Sequence, residues 1–151
     1  HYKAGFVIMH SQGSPKNMQD KPDYDDVVGD IRTFFEEKKN ELIERKLPRI
    51  WIDPGIGFGK SLEHNLELMR NLSVFKDETW GILLGASRKS WIDGLCGATN
   101  PSDRLGASVA SAVCSLTHGT EIIRAHDVRE TVQALQVAKE LALSSNPHYK
   151  D

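Results

Sequence analysis

The chain has 151 residues, enough to bury the core of one domain, with 19 Lys and Arg against 21 Asp and Glu for a formal net charge of -2. That balance argues against nucleic acid as a partner. Cys96 and Cys114 match no metal-ligand spacing, no apolar run reaches bilayer length and no signal sequence is visible, so the expected setting is the reducing cytoplasm, away from membranes.

The chain opens on His1 to Gly5 with no initiator methionine and enters a strand at once over 6–9, a start that reads as the interior of a longer protein. Val27, Ile31, Phe34, Phe35, Leu42 and Ile43 recur at helical spacing and predict a long helix ending near Arg45. Ile50-Trp51-Ile52 predicts a strand closing on Asp53, and Leu62, Leu66, Met69 and Leu72 mark a second helix. A third strand is predicted over 81–85, followed by a short helix over 89–95. Ser102 is placed as the cap of a helix running through Leu105, Val109, Ala112, Val113 and Leu116 to Gly119. The fourth strand covers 121–124. Asp127 and Glu130 have capping-box spacing ahead of Val128, Val132, Leu135 and Leu141 on one helical face. The polar tail beyond Leu143 is expected to fray.

Short, almost wholly apolar strands are those of a parallel sheet buried on both faces. Four βα units without linker, repeat or low-complexity segment make a single α/β domain over 1–151. A full eight-unit barrel needs roughly 250 residues, so four units are half of one. A small doubly wound sheet is the other arrangement open to them.

Three strands end in polar motifs, at the place where α/β enzymes build sites. The first is Asp53-Pro54-Gly55-Ile56-Gly57-Phe58-Gly59-Lys60. Its glycines suit a backbone that takes positive φ or approaches a ligand; they fit neither a Walker loop nor a dinucleotide fingerprint. Asp53, directly after three apolar residues, is poorly solvated and needs a donor: a ligand N–H, or a structural Arg or Lys. The second, Ser87-Arg88-Lys89-Ser90, sets two cations at a helix start, against the helix dipole, which favours an anion-gripping role for Lys89 over a merely solvated cap. The third is Arg124-Ala125-His126-Asp127, in which Arg124 and His126 alternate toward one side and Asp127 reads as a cap. An Arg124–Asp53 ion pair without ligand is the plain alternative. His10, after the first strand, reads as a structural hydrogen-bonder, His64 and Asn65 as packing or capping groups, and Trp51, Trp80 and Trp91 as packing.

As a set these stretches resemble the dihydropteroate synthase family. The match comprises Met9-His10-x-Gln12-Gly13-x-Pro15 with Met18-Gln19, the 53–60 turn with His64-Asn65, Ser87-Arg88-Lys89-Ser90 and Arg124-Ala125-His126-Asp127, in family order over nearly the whole chain. Gln12 stands where many relatives have Arg, and Ser14 where Thr is common. The resemblance implies the second half, four βα units, of a TIM (β/α)8 barrel, strands 5–8, with the first half lying outside this sequence. It implies a transferase of folate biosynthesis joining 6-hydroxymethyl-7,8-dihydropterin diphosphate to 4-aminobenzoate, with sulfonamides as competitors. Lys89, Asp53 and Arg124 would be catalytic. Asp53, Lys89, Arg124, Met9 and Gly85 would bind pterin; Arg124, Ala125 and His126 would bind diphosphate; Phe58, Ser87 and Gly57 would border the aminobenzoate. Magnesium is implied, with its ligand in the other half and none here.

Two other readings remain at this point. One is a corrinoid-type pterin-binding methyltransferase domain, against which the two diphosphate-gripping motifs argue. The other is a non-catalytic half-barrel module. A homodimer is expected through the helix over 105–117, which carries no charge and sets Gly106, Ala107, Ser108, Ala110, Ser111 and Ser115 on its second face.

Overall fold

The computed structural model describes residues 4–13, 16–18, 20 and 22–143. Ser14, Pro15, Gln19 and the tail beyond Leu143, on which some of the expectations above fall, lie outside the described residues. Strand β1 (Phe6–Met9) is followed by α1 (Val27–Glu44), β2 (Ile50–Asp53), α2 (Leu62–Arg70), β3 (Gly81–Leu84), α3 (Trp91–Cys96), α4 (Leu105–Leu116), β4 (Thr120–Ile123) and α5 (Val128–Leu143), with 3-10 turns at Leu72–Phe75 and Pro101–Arg104. The four strands form one parallel sheet in the order β1-β2-β3-β4. This is half of a (β/α)8 barrel, as the family resemblance implied, and not a doubly wound sheet, whose strand order would reverse at a switch point.

Residues two apart on a strand share a face. On one face Ile50, Ile52, Ile82 and Leu84 pack against Val27, Ile31, Phe35, Leu68, Leu72 and Ile92, and all ten are buried. Each such aliphatic or aromatic side chain contributes about 1.5–3 kcal/mol relative to exposure. The other face carries Met9 and Asp53 side by side in register, and the strand ends lead from it into the three motifs. A register shift between Ile82 and Leu83 lets β4 run past β3, so that Leu83 and Leu84 pair with Ile122 and Ile123 and the backbone N–H of Arg124 reaches the Leu84 carbonyl at 2.8 Å.

The helix starts follow local chemistry. The Asp26 carboxylate accepts the Gly29 N–H at 3.0 Å, and Ser61 with His64 forms a reciprocal capping box. Ser102 does not cap α4. It lies in the 3-10 turn, whose own cap is Asn100, and Pro101 makes that tighter turn the easier start. The strands at 81–84 and 120–123 are each one residue off the predicted limits.

Several predicted apolar positions are exposed, among them Leu105 and Leu116 at the two ends of α4. Ile43 is exposed at the far end of α1, and Val128 (61%), Val132 (46%) and Leu141 (66%) are exposed on α5. β4 has a strand neighbour on one side only, and α5 turns Thr131 inward while packing on α4. The second face of α4 also differs from expectation. Ser108, Ser111 and Ser115 are buried within the chain, and their hydroxyls bond the carbonyls of Arg104, Ala107 and Ala112 at 2.6–2.8 Å. A serine satisfied by its own helix can be buried, and its small size lets α4 lie close to α5 and β4. Of the six residues proposed for a dimer contact, only Gly106 and Ala110 are exposed.

Candidate functional site

β2 ends in Asp53, which is 1% exposed. Its donors come from the chain: the Gly55 N–H bonds Oδ1 at 2.8 Å and Arg124 Nη2 lies 3.1 Å from Oδ2. Burial pushes the Asp53 carboxyl above its ordinary range, while the Gly55 N–H and the charges of Arg124, Lys89 and Lys60 pull against that rise. The ion pair between Asp53 and Arg124 is therefore real. It joins a buried carboxylate to a side chain that is 57% exposed along its other edge.

The glycine-rich turn takes the form its sequence requires. Gly55, Gly57 and Gly59 have φ of 73, 78 and 63 degrees. A side chain on Gly55 would strike the His10 carbonyl, and one on Gly57 would press on the Lys89 stem. The turn is pinned from below by Asn65, whose side chain accepts the Gly57 N–H at 2.7 Å and donates to the Ser61 carbonyl at 2.6 Å. This is how α2 holds the loop that precedes it.

Lys89 leaves the β3–α3 loop and crosses the turn. Its ammonium donates to the Ile56 carbonyl at 3.2 Å and sits 3.7 Å from the centre of the Phe58 ring. Burial lowers the Lys89 pKa and the Arg124 charge adds to the fall, against the pull of Asp53. At the next strand end Ser87 Oγ accepts the His126 backbone N–H at 3.2 Å and lies 3.1 Å from His126 Nδ1. Arg124 lies directly over Gly85, where an added Cβ would fall 2.6 Å from Nη2.

Gly85, Ser87, Lys89, Arg124, Ala125 and His126 line a hollow of about 180 Å³, and all six were picked out in sequence. Asp53 touches this group through Arg124, Phe58 and Gly57 through Lys89, and Met9 lies beside Asp53 in register. Arg88 does not join them. Its guanidinium forms two hydrogen bonds with the Asp127 carboxylate, Nε to Oδ2 at 2.9 Å and Nη2 to Oδ1, and this partnership also takes the carboxylate that was read as a cap.

Sequence reading missed two buried cations. Lys60, at 3% exposure, donates to the Phe58 carbonyl at 3.0 Å and to His10 Nδ1 at 3.2 Å. Arg104, at 6%, donates to the carbonyls of Ala98, Thr99 and Arg88 at 2.6–3.0 Å. The only hint was position: Lys60 closes the glycine-rich run, and Arg104 stands before a helix without charge. His10, His64 and Asn65 hold structure, as expected of them. Among the described residues no three His, Cys, Asp or Glu gather to hold a metal ion.

A parallel half-barrel with one buried carboxylate and several cations at its C-terminal strand ends is a β/α-barrel protein with a cationic site. The model of the family described as pterin binding enzyme matches residues 1–126, and the chain belongs to that family. It is similar to the dihydropteroate synthase of Neisseria meningitidis serogroup B, with 43% identity over 146 residues, covering 93% of this chain and 51% of that one. It is similar in structure to the dihydropteroate synthase of Thermus thermophilus, in complexes with 4-aminobenzoate (TM-score 0.86) and with 6HMPPP (0.87). Both are 35% identical, with 93% of this chain covered and 58% and 56% of those. The Yersinia pestis dihydropteroate synthase with a sulfonamide drug complex gives a TM-score of 0.85 at 39% identity, over 92% of this chain and 51% of that one. The chain thus spans about half the length of the curated relatives it matches.

Proposed function

We propose that the chain forms the C-terminal half of a dihydropteroate synthase active site, which condenses 6-hydroxymethyl-7,8-dihydropterin diphosphate with 4-aminobenzoate. The carrying observation is that Asp53, Lys89, Arg124 and His126 meet at one lip of the sheet. In this reading the amino-pyrimidine edge of the pterin competes with Arg124 for the Asp53 carboxylate. Arg124, more than half exposed, swings along the ring to the phosphates. Gly85 leaves the clearance for that movement, and Met9 floors the pocket. Lys89 closes on the other side of the ring. His126 and the Ala125 backbone hold the diphosphate, while Phe58, Ser87 and Gly57 border the aminobenzoate.

The chemistry asks for little else. The C–O bond to diphosphate breaks, the C–N bond to the aniline forms, and the amine loses one proton to solvent. Cations placed on the leaving group stabilise charge that develops only in the transition state. An aniline is neutral near pH 7, so no strong base is needed. Magnesium, held by groups outside this chain, would add charge neutralisation on the diphosphate. Sulfonamides would compete with aminobenzoate, the setting would be cytoplasmic, and two copies would pair through the exposed side of α4, at Gly106, Ala110 and Cys114.

The test uses the full-length protein with both substrates. Dihydropteroate and diphosphate should appear in equal amounts, with inhibition by sulfonamide relieved by aminobenzoate. Binding of the pterin without diphosphate release would overturn the reading in favour of a binding module.

A further inference from the structure

Arg88 belongs to the motif that offers two cations to a ligand, yet only Lys89 faces the cleft. Arg88 has φ of 55 degrees, a left-handed conformation that a residue with a Cβ adopts only when its surroundings dictate it. Four contacts dictate it here. Its backbone N–H donates to Ser108 Oγ at 2.9 Å, and its carbonyl accepts from Arg104 Nη1 at 3.0 Å. Its guanidinium makes the two hydrogen bonds to Asp127, of which Nε to Oδ2 is 2.9 Å. Ser108 is itself buried and Arg104 is buried and fully engaged, so the grip on the backbone comes from rigid parts of the fold.

The consequence is geometric. Ser87 and Lys89 flank a residue that reverses the chain direction, and each is thereby aimed at a different partner: Ser87 at His126, Lys89 at the glycine-rich turn. Asp127 follows His126 directly. The β3–α3 and β4–α5 loops are therefore joined twice, by Ser87 with His126 and by Arg88 with Asp127, and the second junction lies outside the hollow.

We infer that Arg88 is a positioning residue. Through its fork on Asp127 it fixes the β3–α3 loop to the β4–α5 loop, and so sets the spacing between Lys89 and His126 without touching the ligand. The inference rests on the proposed dihydropteroate synthase reading for its catalytic consequence, but its structural core, the coupling of two loops, does not.

The experiment takes the full-length protein and the variants Arg88→Ala, Asp127→Ala and the pair together. A tie predicts that each single variant lowers kcat to a similar extent, about tenfold, equivalent to a loss of about 1.4 kcal/mol. It also predicts that the double variant is no worse than the poorer single one, because the same contact cannot be lost twice. A ligand-gripping Arg88 predicts the opposite pattern: a raised KM for one substrate in Arg88→Ala alone, with Asp127→Ala freeing the guanidinium and leaving KM unchanged. That pattern would overturn the inference. Amide hydrogen exchange supplies a readout free of the reaction. Either single variant should speed exchange at both Lys89 and His126, whereas loosening confined to the variant's own loop would sink the tie even if the enzyme assay behaved as expected. If the wild-type protein makes no dihydropteroate, the exchange result still decides the coupling. Should Arg88→Ala fail to fold, Arg88→Lys keeps the charge, loses the two-pronged fork, and carries the same comparison with Asp127→Asn.

Discussion

Lys60 Nζ lies 3.2 Å from His10 Nδ1, behind the glycine-rich turn, and the two residues are fifty positions apart in sequence. Burial lowers the pKa of both. The His10 pKa falls to about 4, through burial first and then the Lys60 charge. The Lys60 pKa falls to about 8, through burial first, with the Lys89 charge adding to the fall and Asp53 opposing it. A neutral imidazole therefore accepts from an ammonium whose other partner is the Phe58 carbonyl, and the pair ties the end of β1 to the turn that carries Phe58.

Linkage makes this pair visible as pH dependence. A group whose pKa is depressed on folding takes up its proton more readily when unfolded, so stability rises with pH across the gap. His10 should take stability away as pH falls from about 6.5 toward 4. Lys60 should add stability as pH rises above about 8. Tyr24, whose pKa burial raises to about 12, works in the opposite sense and only above pH 10, where the unfolded phenol ionises first and stability falls, so the window for Lys60 is pH 8 to 10. Denaturant melts across that window should show stability rising by up to about 1.4 kcal/mol per pH unit relative to Lys60→Met. Parallel curves for the two proteins would mean that Lys60 keeps an ordinary pKa.

Lys89→Ala should lower turnover by about 10²–10³ while the melting temperature moves little, since the cation acts on charge that develops at the transition state. Its ammonium does hold the Ile56 carbonyl, so a small loss of stability is expected. Steady-state kinetics beside a thermal melt separates the two, and normal turnover with a lowered melt would make Lys89 a structural residue.

Gly85→Ala gives a sharper test of Arg124. Gly85 is not among the positive-φ glycines, so alanine suits its backbone. The three atoms nearest the added Cβ all belong to the far end of Arg124, which can swing aside. The variant should fold with stability within about 1 kcal/mol of the parent, but lose turnover far more than pterin affinity, because the added methyl fills the clearance through which Arg124 swings from Asp53 to the phosphates. Gly55→Ala should instead damage folding, because there the new Cβ strikes the His10 backbone at a left-handed position. Calorimetric titration with the pterin substrate, set beside melts of both variants, checks the contrast.

The 151-residue chain alone should make no dihydropteroate. Phe6 and Val7 are 46% and 40% exposed on the strand at one edge of the sheet, and β4 forms the other open edge. Measured synthesis by the purified chain, with no second half added, would refute the proposal that the site is shared.

Ala110→Glu should convert a dimeric full-length protein to a folded monomer, because Ala110 is exposed on α4. Ser111→Glu should unfold it instead, since Ser111 is buried against the rest of the chain. Sedimentation of the parent as a monomer at high micromolar concentration would remove the dimer from the picture.

Much of the site was readable because its residues are punctuation. Asp53, Ser87, Lys89, Arg124 and His126 each interrupt or follow an apolar run, and a parallel sheet brings the ends of such runs to one edge whatever the details of packing. The three alternate glycines likewise announced positive φ, since no other residue takes it so cheaply. The serines of α4 misled for the complementary reason. A small uncharged face reads the same whether it meets a second copy or the chain's own β4 and α5.

The sequence by itself determined the four βα units, the parallel direction of their strands and the identity of the polar groups at the sheet's mouth, because these depend on local periodicity and on which strand ends a motif follows. Tertiary structure alone decided which cation does what. Lys89 turns into the cleft while its neighbour Arg88 is claimed by Asp127, Lys60 is claimed by His10, and Arg104 by three carbonyls. All four are long basic side chains in polar stretches, alike in sequence. What separates them is the acceptor that lies within hydrogen-bonding reach, and those acceptors come from parts of the chain that only folding brings near.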